Sequence, residues 1–162
     1  MKISQRLELP ATPAVAFATM ATPQFQNAKL EATSDPGHTS EVREDGDETV
    51  ITTSRKLPTN EFPDFLRKIA GDSIIVGEVQ RWGAAAADGS RDGTVEIEVK
   101  GQPVKLVGTL RLEPTATGSV ETVEGDLKCA LPLIGGKVEK AAAPSIVRAI
   151  ELEAETLRAH LV

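Results

Sequence analysis

Strict alternation is clearest at residues 94–100, TVEIEVK, where Val95, Ile97 and Val99 share one parity and Thr94, Glu96, Glu98 and Lys100 the other. A period of two with one dry and one wet face predicts a half-buried strand in an antiparallel sheet. KISQRLEL at 2–9 repeats the pattern through Ile3, Leu7 and Leu9, with Gln5 as its exception. SIIVGEVQRW, VKLVGTLRLEP and SVETVEGDLKCAL are also strand-like, separated by turn chemistry at ADGSRDG, GQP and TATG. Earlier, SDPG and REDGDE flank HTSEV, with TVITTSRKL beyond, and Asp45-Gly46 predicts a hairpin.

Helical spacing interrupts this pattern in three places. After the first strand, ATPAVAFATMA and ATPQFQNAKLEA each open on Thr-Pro. Thr12 and Thr22 can cap two short helices whose first turns hold Pro13 and Pro23, where a missing N–H costs nothing. Phe62, Phe65, Leu66 and Ile69 recur at intervals of three and four, predicting a short helix over one end of the sheet. From Leu133 to Val162, Ile134, Val138, Ala142, Ile146, Ile150, Leu157 and Leu161 keep a helical stripe. Glu151, Glu153, Glu155 and Arg158 are expected on its outward face. A straight helix of that length would span about 45 Å. Pro144 removes one backbone bond from its interior and is expected to bend it.

Composition narrows the function classes. The 162 residues suit one domain, 1–162, with one core. Aromatic residues make up 3%, tyrosine is absent, the formal net charge is −6, and the 18 basic residues are dispersed, so nucleic acid is not an expected partner. Neither a secretory signal nor an apolar run long enough for stable membrane insertion is visible, and a cytoplasmic location is expected. One cysteine, Cys129, excludes an internal disulfide framework.

Catalytic and metal signatures are missing. His38 and His160 fall in no HxxxH or HExxH pattern, and His160 suits a helix C-terminus. Cys129 reads as a buried inert thiol. REDGDE lacks calcium-loop spacing, and GQPVKLVG is no phosphate loop. No catalytic residue, metal or cofactor is expected. Glu78, Gln80, Arg81 and Arg111 are the strand polar groups whose direction matters, because a charge inside a dry cavity is expensive.

In its order of elements the chain resembles the START-like (SRPBCC, helix-grip) superfamily. LPATPAVAFATMATP after the first strand, VGEVQRW in the middle and LPLIGGKVEKAAAPSIVRAIELEAETLRAHL at the end carry the likeness, which covers essentially the whole chain. In detail the chain is similar to an actinobacterial branch classed as a domain of unknown function. The resemblance implies an α+β fold: a curved antiparallel sheet of about seven strands gripping a long C-terminal helix, with two short helices after the first strand and an apolar cavity between sheet and helix. Gly135 and Gly136 would turn the chain onto the sheet, and Pro144 would bend the helix over the cavity mouth.

The cavity wall is then expected from Ile51, Ile75, Val79, Trp82, Val95, Ile97, Leu106, Leu110, Val123, Leu127 and Cys129, facing Ile134, Val138, Ala142, Ile146 and Ile150. These residues could equally fill a solid core, and Trp82 could be a plain strand-end anchor. Gly77, Gly108, Gly125, Ala141, Ala142 and Ala149 would leave space open, and Phe62, Phe65 and Leu66 could form a lid or merely cover the sheet end. The expected function is binding or carriage of a hydrophobic or amphipathic small molecule, lipid or polyketide-like, by a monomer or weak homodimer. Alternatives are a cyclase- or hydratase-type enzyme and a co-chaperone-like interaction module.

Overall fold

The computed structural model describes residues 1–33 and 36–161. Element order is β1 Lys2–Leu9, α1 Pro13–Met20, α2 Pro23–Thr33, β2 Thr39–Asp45, β3 Glu48–Pro58, α3 Asp64–Ala70, β4 Ser73–Trp82, β5 Arg91–Val99, β6 Val104–Thr115, β7 Gly118–Cys129 and α4 Gly135–His160. The described strands form one seven-stranded antiparallel sheet, ordered β1-β7-β6-β5-β4-β3-β2. With α4 laid across one face, this is the helix-grip architecture expected from the sequence.

Local chemistry explains the elements. Thr12 Oγ1 accepts from Val15 N at 3.4 Å and Thr22 Oγ1 from Phe25 N at 3.2 Å, so each Thr-Pro pair starts a helix as predicted. The β2–β3 hairpin closes between Asp45 and Glu48, which makes Gly46-Asp47 its two-residue loop. Gly46 has φ +61°, a conformation that suits glycine. The SDPG turn includes Ser34 and Asp35, and the helical stripe was expected to reach Val162; these three residues lie outside the described residues.

The passage from β7 into α4 differs from expectation. Leu133, not a glycine, takes the left-handed conformation there, at φ +67° with its side chain in solvent. Gly135 serves close approach instead, because a Cβ on it would collide with the Cys129 carbonyl oxygen, whereas one on Gly136 would meet nothing. Gly135→Ala is therefore expected to cost about 1–3 kcal/mol. Gly136→Ala should be neutral or mildly stabilising, since alanine is the better helix former. Equal guanidinium midpoints for the two variants would remove close approach as the reason for Gly135. Pro144 sits on the exposed side of α4, which runs through it unbroken.

The core gathers where α1 and α2 meet the sheet and α4. Phe17 meets Trp82 edge-on at 5.9 Å between ring centres, and Phe25, Leu112 and Leu157 are fully buried in the same cluster.

Candidate functional site

Between α4 and the sheet lies a cavity of about 170 Å³. Its wall is built from residues of one parity on each contributing strand: Leu57 on β3, Ile74 and Val76 on β4, Val95, Ile97 and Val99 on β5, Val104, Leu106 and Leu110 on β6, Val123 and Leu127 on β7. α4 supplies Val138, Ala141, Ala142, Ser145, Ile146, Ala149 and Ile150 opposite them. Around Phe62, Leu66, Ile69 and Ala70 at α3 most lining residues are only partly buried, whereas Leu7, Val95, Leu110 and Val123 at the far end are buried, so the cavity opens toward α3. Phe65 points elsewhere and carries the Lys137 ammonium 4.3 Å over its ring, a cation–π contact that ties α3 to the start of α4.

Ten of the expected wall residues lie on this surface: Val95, Ile97, Leu106, Leu110, Val123, Leu127, Val138, Ala142, Ile146 and Ile150. Five do not. Ile75 is 44% exposed and Val79 half-buried, because the inward parity of β4 is even. Ile51 and Trp82 are buried in the core instead. Ile134 precedes α4 and is 38% exposed. Cys129, at the end of β7, is off the lining and only half-buried rather than buried as expected; Gly77, Gly108 and Gly125 are likewise absent from the lining, while Ala141 and Ala149 join Ala142 on it.

The even parity of β4 brings Glu78 and Gln80 inward, and with them comes a charged cluster at the buried end. Lys29 on α2 lies 3.1 Å from Glu78 Oε1 and 3.1 Å from Oε2 of Glu153 on α4. Glu153 thus faces inward, contrary to the expected outward face, because it is the second counter-ion of a buried lysine. Gln80 Nε2 donates to Glu78 Oε1 at 2.6 Å, and Trp82 Nε1 donates to Gln80 Oε1 at 2.9 Å. Arg55 on β3 donates to Thr33 Oγ1 at 2.8 Å. Arg81 and Arg111 face outward, pairing with Asp45 and with Asp92 and Glu113.

Electrostatics divides the cluster into satisfied groups and one unsatisfied group. Burial opposes the Lys29 charge, but the Glu153 and Glu78 carboxylates carry its pKa above the usual lysine value. Burial likewise opposes the charge on Glu78, yet Lys29, Arg55 and the Gln80 hydrogen bond hold its pKa below the ordinary glutamate value. Glu121 on β7 is different. It is 5% exposed, lines the cavity, and has no hydrogen bond or ion pair among the described residues. Burial first, and then the Glu153 carboxylate, push its pKa up to about 8 against the pull of Lys29. With Glu121 protonated, two cations, Lys29 and Arg55, stand against two carboxylates, Glu78 and Glu153.

Parity could have found Glu121, which lies two residues before Val123. Helical spacing could have found Glu153, three residues after Ile150 and four before Leu157.

Over residues 4–161 the chain matches the family described as protein of unknown function DUF2505. The chain belongs to that family. No curated protein matches this DUF2505 chain in sequence. Among solved structures it is similar to the STAR-related lipid transfer protein of Xanthomonas axonopodis, fragment 25–204, at TM-score 0.61 and 14% identity, over 99% of this chain and 85% of that one. It is also similar to Ara h 8.0201, at TM-score 0.56 and 16% identity over 99% and 96% of the two chains. A third likeness is to the Zhui aromatase/cyclase of Streptomyces sp. R1128, at TM-score 0.59 and 12% identity over 99% and 92%. At such identities the likeness shows the DUF2505 chain's fold alone. Among its described residues no helix is long and apolar enough to cross a membrane.

Proposed function

We propose that the protein binds an apolar or amphipathic small molecule between α4 and the sheet, and holds or carries it as a single-domain member of an actinobacterial branch of the superfamily. The observation that carries this reading is the cavity itself, walled by strand residues of inward parity and by the small residues of α4. A cavity walled so largely by hydrocarbon leaves apolar surface against water, and a bound apolar ligand removes that surface and stabilises the fold. Neighbours of the same fold described as a lipid transfer protein and an aromatase/cyclase support it. An apolar cavity of about 150 Å³ holds a molecule of benzene size, so ligands much larger than one substituted ring need the α3 end to move outward.

One observation favours a second reading, catalysis of the cyclase or hydratase type. Glu78, Gln80, Glu121 and Lys29 converge at the buried end, and a protonated carboxyl beside ion-paired carboxylates is equipped to move a proton to or from a bound substrate.

Native mass spectrometry of protein purified from its own host tests the binding reading. The wild type is expected to carry a stoichiometric, solvent-extractable adduct. Ala142→Leu, which fills the cavity from α4, should lose the adduct while keeping or raising its unfolding midpoint. A clean apo mass for the wild type with nothing extractable would sink the proposal.

A further inference from the structure

We propose that the buried end of the cavity receives the oxygen of an uncharged carbonyl-bearing ligand as hydrogen-bond acceptor from the Glu121 carboxylic acid, and disfavours ligands with a formal charge. The inference rests on the cavity reading and names the ligand class for that cavity.

Of the five charged side chains at this end, Lys29, Glu78, Glu153 and Arg55 each have a hydrogen-bond or ion-pair partner, and Glu121 has none among the described residues. Its strand neighbours cannot supply one, since β1 places Leu7 and β6 places Leu112 beside it in register. An unpartnered buried carboxyl is costly, and a ligand oxygen is the partner that would relieve it.

Charge decides what kind of oxygen. The charged groups that act on Glu121 are Glu153 from α4, Lys29 from α2 and Glu78 from β4, and with Arg55 from β3, which also lines the cavity, they already sum to zero. A ligand carboxylate would enter with no free cation to meet it and with two carboxylates close by. A ligand ammonium would gain a counter-ion only by driving the proton off Glu121, and would still enter beside Lys29 and Arg55. A neutral carbonyl disturbs neither balance. Burial and the Glu153 carboxylate, which raise the Glu121 pKa to about 8, keep the acid protonated and donating at neutral pH. Beyond the acid the wall is hydrocarbon, so the remainder of the ligand is apolar.

Four monosubstituted benzenes of similar size test this by calorimetric titration: acetophenone, ethylbenzene, benzoate and benzylammonium. At about pH 6.5 the ketone is expected to bind roughly tenfold more tightly than the hydrocarbon, and both ions more weakly than either. By about pH 9.5 the ketone's advantage in the wild type should be lost as Glu121 ionises. Glu121→Gln keeps an N–H donor that does not titrate, so its ketone preference should persist at both pH values. Glu121→Leu should bind ketone and hydrocarbon alike. Equal binding of ketone and hydrocarbon by the wild type, or tightest binding of either ion, would overturn the inference and leave the cavity reading standing. Failure of all four to bind would defeat the cavity reading and the inference with it.

Discussion

Replacing Lys29 by methionine is expected to destabilise the protein by about 3–5 kcal/mol at neutral pH. Methionine keeps most of the volume and removes the cation. Glu78, almost wholly buried, and Glu153, mostly so, would then face each other without the ammonium now 3.1 Å from both. Breaking a buried pair costs far more than the pair contributes, because the remaining charges stay desolvated. Lys29→Met combined with Glu78→Gln and Glu153→Gln should therefore recover most of the loss. Guanidinium unfolding of the single and triple variants measures both effects, and a single-variant loss below about 1 kcal/mol would refute the ion-paired cluster as a structural unit.

Glu121 produces the other large effect, and its sign follows from proton counting. Its folded-state pKa, about 8, lies above the ordinary value of 4.5. Below pH 4.5 the folded and unfolded chains both hold this proton. Between the two values only the folded chain keeps it, so stability falls as pH rises through that window and levels off above it. The shift corresponds to as much as about 5 kcal/mol. Glu121→Gln has no such proton to lose. Its stability relative to the wild type is expected to increase steadily from acid conditions to about pH 8 and then to stay constant. Parallel stability–pH curves for the two proteins would refute the buried acid.

Fold was legible because its signals are local. Thr-Pro starts, the alternation of Val95, Ile97 and Val99, and the stripe of α4 each depend on neighbours a few residues away. The apolar wall was legible wherever one parity is uniformly hydrophobic, as on β5 and β6. β4 misled for a physical reason: SIIVGEVQRW has apolar residues on both parities, and the inward one carries Glu78 and Gln80 between Val76 and Trp82. Hydrophobicity alone selects Ile75 and Val79. What brings a glutamate inside is Lys29, distant in sequence on a helix whose own spacing gives no hint of it. Glu153 is inward for the same reason. Periodicity within an element can place Glu121 and Glu153 on inward faces, but charge compensation across elements is a tertiary property that it does not report.

The pairing of β1 with β7 has a consequence for how the chain is made. Ile3 meets Gly125 and Leu7 meets Glu121, whereas the strands from β2 to β7 each pair with the next in order. A nascent chain can add β2 through β7 one after another, each beside the strand just made, while it emerges. β1, synthesised first, must wait with Ile3, Leu7 and Leu9 unpaired until its partner strand is complete, and α4, which covers their face, comes last of all. Long-range closure of this kind slows folding and prolongs exposure of a sticky edge. The interval between synthesis of β1 and of β7 is therefore when this chain is most open to mispairing.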